Sequence, residues 1–148
     1  MKNFMKEALK EAQKSLEENE VPIGAVIVKD GHIIARGHNV REQKRNALMH
    51  AEIVAINKAC KKLGDWRLDG CEMFVTLEPC PMCAGAILNA RISKITYGAK
   101  DKTSCDGLFE KIMTSIRLNH TCQFVQDEQF SEECSQILKV FFKRRRNS

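Results

Sequence analysis

No apolar stretch in this 148-residue sequence is long enough to cross a bilayer. The longest nearly apolar run, residues 21–28, falls far short of the ~20 residues that a spanning helix needs. No apolar segment near Met1 resembles a signal peptide, so the chain is expected to stay in the cytoplasm, away from membranes. Eight glycines and three prolines are too few for a collagen-like chain, and 43% hydrophobic residues exclude general disorder. Internal repeats, low-complexity linkers and composition boundaries are absent as well. The length suits one domain, residues 1–148, and a second module is not expected.

What is present begins with charge. Lysine and arginine (24) outnumber aspartate and glutamate (19), which favours polyanionic partners without requiring one. Seven cysteines are an odd number for a disulfide framework, so their spacing matters more than their count. Cys60, Cys71, Cys105, Cys122 and Cys134 stand alone and read as small buried hydrophobes or idle thiols. Cys80 and Cys83 form a Cys-x-x-Cys pair.

The hydrophobic pattern alternates helices with strands. Apolar residues at spacings of three and four predict a helix up to about residue 19, and β-branched residues predict a hairpin over 23–29 and 32–36 joined at Asp30-Gly31. Residues 37–46 read as a polar loop. A helix is expected over 49–62, a strand over 71–76, a short helix over 80–90 and a strand over 92–97. Past a polar loop at 101–107, the pattern predicts a helix over 108–116, a strand over 121–125 and a last helix over 131–142. That helix runs into Lys143-Arg144-Arg145-Arg146. Such alternation predicts an α/β layered fold with helices on both faces of one sheet.

The chemistry concentrates in two short motifs. His50-Ala51-Glu52 opens the second long helix, and Pro79-Cys80-Pro81-Met82-Cys83 lies 30 residues beyond His50. Two thiolates at i and i+3 of a first helical turn point the same way, where the positive end of the dipole favours the deprotonated form. With His50 they make three ligands, and a catalytic zinc site uses three protein ligands while leaving a position for water. Glu52, two residues after His50, is placed to take a proton from that water. Singly, each feature has a plainer reading: His50 as a polar residue at a helix start, Glu52 as a favourable first-turn charge, Cys-x-x-Cys as a redox pair. A zinc ribbon would need a second Cys-x-x-Cys, which the sequence lacks.

Together, HxE and PCxxC resemble the signature of zinc-dependent nucleobase deaminases. The resemblance narrows to the bacterial tRNA adenosine deaminase family through Glu20-Val21-Pro22-Ile23-Gly24-Ala25-Val26, Trp66-Arg67-Leu68, Val75-Thr76-Leu77-Glu78 and the ending Phe141-Phe142-Lys143-Arg144-Arg145. It implies a cytidine-deaminase-like three-layer α/β/α sandwich with a mixed five-stranded sheet, one zinc ion per chain, a homodimer, and conversion of a tRNA wobble adenosine to inosine. It further implies that Asn39, Ala51 (through its backbone) and Asp101 contact the target nucleoside within an anticodon stem-loop. By its local sequence alone, Asn39 reads as a turn residue. Lys143, Arg144 and Arg145 are placed either to lie along RNA phosphates or to complement the helix dipole in solvent.

Two departures from the family stand out. Many relatives have a proline-threonine pair shortly before the ligand histidine, where this chain has Asn46-Ala47-Leu48-Met49. The stretch after Asp101, commonly glycine-rich and bordering the substrate in the family, here runs Lys102-Thr103-Ser104-Cys105-Asp106-Gly107-Leu108. The same zinc chemistry would also serve a deaminase of free guanine, cytosine or cytidine. A scaffold that keeps zinc only for stability would be expected to have lost Glu52.

Overall fold

The computed structural model of the chain describes residues 2–102, 106–115 and 120–147. Its elements are α1 (Phe4–Glu17), β1 (Gly24–Lys29), β2 (His32–His38), α2 (Arg41–Lys44), α3 (Ala51–Leu63), β3 (Cys71–Leu77), α4 (Pro81–Asn89), β4 (Lys94–Ala99), α5 (Leu108–Ser115), β5 (Gln123–Gln126) and α6 (Ser131–Arg146). The five strands form one mixed sheet in the order β2-β1-β3-β4-β5. β1 runs antiparallel to both β2 and β3, whereas β3, β4 and β5 are parallel.

Alternation along β3 separates the two faces of the sheet. Met73 and Val75 are fully buried in a large core with Ala55 and Ala59 of α3, Ile87 and Leu88 of α4, and Phe109 and Met113 of α5. Phe74, between them, packs on the opposite face against Met5 and Ala8 of α1 and Phe130 and Cys134 near the start of α6. Successive strand residues point to opposite faces, so one strand serves two cores. The sandwich of helices, sheet and helices expected from the pattern is the fold observed.

Local chemistry explains most element ends. Asn3 caps α1 by accepting from the Lys6 amide at 3.1 Å. Asp30 and Gly31 adopt φ of 51° and 78°, both in the left-handed region that a tight two-residue hairpin turn demands. Gly64 ends α3 at φ 68°. Across the α1 and β2 contact, the Arg36 guanidinium donates to Glu7 at 2.8 Å and His38 Nδ1 lies 3.3 Å from Glu11.

The structure corrects several boundaries. The segment expected as a loop over 37–46 instead extends β2 through Gly37 and His38, which pair with Ala25 and Gly24, and then forms the single turn of α2. Strand pairing and a remote cap, neither visible locally, override the polar composition. β4 lies two residues later than expected and β5 covers Gln123–Gln126. α6 continues to Arg146, because cations in a last helical turn are favoured by the dipole. Residues 103–105 of the altered loop, Cys105 among them, and Ile116 at the expected end of α5 lie outside the described residues.

α3 sits closely on the sheet because β2 has no side chain at Gly37. A Cβ there would lie 2.5 Å from the Ala51 carbonyl oxygen and 2.7 Å from the Ala55 nitrogen, both backbone atoms that cannot swing aside. Gly37→Ala is therefore expected to push α3 off the sheet and destabilise the fold by about 2–3 kcal/mol, a fall in Tm of roughly 5–10 °C. Calorimetry checks this, and an unchanged Tm would contradict the close packing of α3 on β2.

Candidate active site and metal centre

Two helix N-termini meet at one place. His50 occupies the N-cap position of α3, and Cys80 that of α4, just after the polypeptide leaves the carboxyl end of β3 at Leu77. Pro81 at the first position of α4 suits a helix start, since its missing N–H would have no partner there anyway. Cys83 follows one turn behind Cys80 on the same side. Neither His50 nor Cys80 spends its side chain on a cap hydrogen bond, so both are available to each other.

His50 Nδ1 lies 3.6 Å from Cys80 Sγ and 3.6 Å from Cys83 Sγ. The three ligand atoms all fall within 4.8 Å of one another, with Cys83 buried and the other two half-buried. One imidazole nitrogen and two sulfurs form a donor set that suits zinc. Among the described residues, no fourth His, Cys, Asp or Glu ligand atom joins this cluster.

The charges within the cluster act directly on one another. Hydrogen bonds from Cys83 and then from His50 hold the Cys80 thiol down at about 4, in the thiolate form. Proximity to that thiolate, followed by burial, pushes the Cys83 thiol well above the usual range. His50 is raised, chiefly by its bond to Cys80. A divalent ion held among the three would favour ionisation of both thiols.

Glu52 lies in the first turn of α3 and is almost wholly buried, at 3% exposure. Burial lifts its carboxyl to about 7. Its Oε1 has no hydrogen-bond partner. A buried carboxylate oxygen without a partner costs stability, and such groups persist where a ligand or reactant completes them. The arrangement can hold a cation on one side and move a proton on the other.

The remaining expected residues lie on several different elements. Ala51 begins α3 with its side chain fully buried. The buried Asn39 amide donates to the Val21 carbonyl at 3.3 Å and accepts from the Arg41 N–H at 3.3 Å. One N–H and one acceptor lone pair of that amide stay uncommitted in these bonds. The Asp101 backbone N–H donates to Glu78 Oε1 at 3.2 Å, and Asp101 borders a cleft of about 740 Å³ with Lys100, Lys102, Lys139 and Phe142. Lys143, Arg144 and Arg145 are exposed on the last turns of α6. Arg144 and Arg145 edge a second depression that Glu42 of α2 also lines.

Sequence reasoning passed over several buried carboxylates, Glu20 and Glu78 among them, at 2% and 4% exposure. Glu20 lies in the segment that resembles the family and Glu78 immediately precedes Pro79, but neither has a metal-ligand spacing that would mark it. Among the described residues no helix is long and apolar enough to cross a membrane. Of the isolated cysteines, Cys71, Cys122 and Cys134 are buried and Cys60 is half-buried.

Comparison with known proteins fits this geometry. The family model described as MafB19-like deaminase matches residues 1–146. The tRNA-specific adenosine deaminase of Bacillus subtilis is 49% identical over 97% of this chain and 89% of its own length. That of Streptococcus pyogenes serotype M18 is 51% identical over 97% of this chain and 90% of its own. A solved structure from work on A-to-I editing by tRNA:A34 deaminases superposes with a TM-score of 0.84 at 40% identity, covering 90% of this chain and 97% of that one. A guanine deaminase structure from Bacillus subtilis gives 0.66 at 36% identity, covering 100% and 96%.

The donor cluster generates a direct expectation. Purified wild-type protein should carry close to one zinc ion per chain by elemental analysis, and Cys83→Ser or His50→Ala should lose most of it. Full zinc occupancy in both variants would place the metal elsewhere.

Proposed function

This chain belongs to the MafB19-like deaminase family and to the tRNA-specific adenosine deaminases, and on that premise we propose that it converts the wobble adenosine of a tRNA anticodon to inosine, consuming water and releasing ammonia. The observation that carries the substrate is the 51% identity to a tRNA-specific deaminase across 97% of the chain. The chemistry is supported by the His50, Cys80 and Cys83 cluster beside a buried Glu52.

In this reading His50, Cys80 and Cys83 hold one zinc ion per chain. When bound, the ion supplies Lewis acidity that makes water a usable nucleophile near neutral pH. Glu52 handles the protons. Its carboxylate takes one as the water oxygen adds to the ring carbon bearing the exocyclic amine, and gives one to the adjacent ring nitrogen. A second transfer, from the new hydroxyl to the amine, lets ammonia leave and the ring carbonyl form. Burial of Glu52 keeps bulk water from competing for these protons.

Substrate contacts follow from family resemblance: Asn39, the Ala51 backbone and Asp101 hold the extruded nucleoside. An anticodon-loop base is already partly unstacked, so removing it from its neighbours costs little. Lys143, Arg144 and Arg145 are read as contacts to loop phosphates. The chain acts as a single deaminase domain, paired in a homodimer, in the cytoplasm.

Guanine deamination has one observation in its favour, the 36% identity to a guanine deaminase over the whole chain. The higher identity to tRNA deaminases favours RNA. Incubation with an anticodon stem-loop, free adenosine, guanine and cytidine separates the two. Inosine is expected in the stem-loop, and turnover of a free compound with none on RNA would overturn the assignment. Glu52→Gln should keep its zinc and its Tm while losing about 10²–10⁴ in kcat. Undiminished kcat in that variant would remove Glu52 from the mechanism.

Replacing Lys143, Arg144 and Arg145 together with alanine should weaken stem-loop binding most at low salt. The slope of log affinity against log salt should shrink by roughly 0.7 for each single-strand phosphate that these side chains no longer neutralise. An unchanged slope would mark the basic end as solvated surface.

A further inference from the structure

Between Asn39 and His50 the chain makes a strap whose two ends matter to the reaction proposed above: one carries an expected substrate contact, the other a metal ligand. The strap closes on itself, with the Val40 N–H donating to the Met49 carbonyl at 3.1 Å. Its only regular structure among the described residues is the four-residue α2, and most of its side chains are exposed. A segment of this kind has little apolar burial to fix it, so its position depends on a few polar anchors.

The strongest anchor is Glu20. This carboxylate is 2% exposed, yet it lies outside the donor cluster. Its two oxygens accept from successive backbone amides at the start of α2, Oε1 from Glu42 at 3.1 Å and Oε2 from Gln43 at 2.8 Å. Val40, at the N-cap position, makes no side-chain cap of its own. Glu20 therefore caps a helix some twenty residues away in sequence, and its negative charge sits where the dipole favours it.

Four further bonds tie the same corner together. The Glu20 N–H donates to the Ser15 carbonyl at 2.8 Å, and the Ser15 hydroxyl donates to the Asn39 carbonyl at 2.8 Å. The Asn39 side chain in turn bridges Val21 and Arg41. The end of α1, the 20–23 segment and the strap thus form one hydrogen-bonded unit that reaches from the protein scaffold to the rim of the site.

We infer that Glu20 is a positioning residue: by capping α2 it holds the strap 39–50, and with it Asn39 and Arg41, in the register that receives the target nucleotide. The inference rests on the deaminase reading given above. His50 has independent support, since its carbonyl accepts the Val54 N–H at 3.0 Å inside α3. Loss of Glu20 should consequently disturb substrate binding much more than metal binding.

The test compares wild type, Glu20→Ala and Glu20→Gln on an anticodon stem-loop RNA, together with zinc content and amide hydrogen exchange. Glu20→Gln keeps the size and one acceptor oxygen, so it carries the test if Glu20→Ala does not accumulate. Expected for Glu20→Ala are a KM at least tenfold higher, kcat within about threefold, full zinc occupancy, and faster exchange at Glu42 and Gln43 with α3 unchanged. Glu20→Gln should fall between it and wild type. A KM within twofold of wild type in both variants overturns the inference. So does a parallel loss of kcat, zinc and α3 protection, which would make Glu20 a general stabiliser. Wild-type protein that leaves the stem-loop unmodified overturns the deaminase reading itself.

Discussion

Mutual attraction between one thiolate and its neighbours organises this protein's centre. Cys80 is held ionised by Cys83 and His50, and the three donor atoms stand within 4.8 Å because α3 and α4 both begin there. Each helix contributes the partial positive charge of its first turn, which lessens the cost of placing a sulfur anion in a half-buried position. Move either helix start and the donors separate. The sheet prevents that: β3 delivers the chain to Cys80 in register with β4, and Gly37 of β2 lets α3 sit directly against the backbone below it.

Glu52 depends on the same placement. In the first turn of α3, it is buried by the packing that brings His50 to Cys80, and its unpartnered oxygen is tolerable where chemistry gives it a recurrent partner. Stability and function therefore oppose each other at this residue. The large core beneath it, with Ala55, Met73, Val75 and Ile87 fully buried, can bear the expense of one unsatisfied atom.

How much of this was legible in the sequence follows from how local each determinant is. The donor cluster was legible because its parts lie within two short motifs whose spacing fixes their direction: a helix cap with a carboxylate two residues on, and two thiols one turn apart. The Asp30-Gly31 turn was legible for the same reason. The 37–46 segment was not. Its polar side chains say loop, but Gly37 and His38 are recruited by pairing with β1, and α2 is capped by a carboxylate from residue 20. Nothing within the segment announces either partner. The basic end was half legible: its charge was plain, while the continuation of α6 through Arg146 reflects dipole complementarity that periodicity of apolar residues does not register.

Specificity then has to be sought away from the donors. A guanine deaminase at 36% identity and tRNA-specific deaminases at 49% and 51% share a fold with this chain, and a fold by itself does not select a substrate. An embedded His-Cys-Cys cluster with a buried glutamate is indifferent to whether the base arrives free or attached to RNA. What distinguishes those substrates is the ribose and phosphate around the base, which only the rim can touch. On this chain the strap 39–50 approaches the last turns of α6, where Glu42 shares a depression with Arg144 and Arg145. These two elements come from remote parts of the sequence and meet beside α1. A preference for RNA would therefore depend on the relative placement of two distant segments, which explains why the reaction can be read from two short motifs while the substrate requires the whole chain.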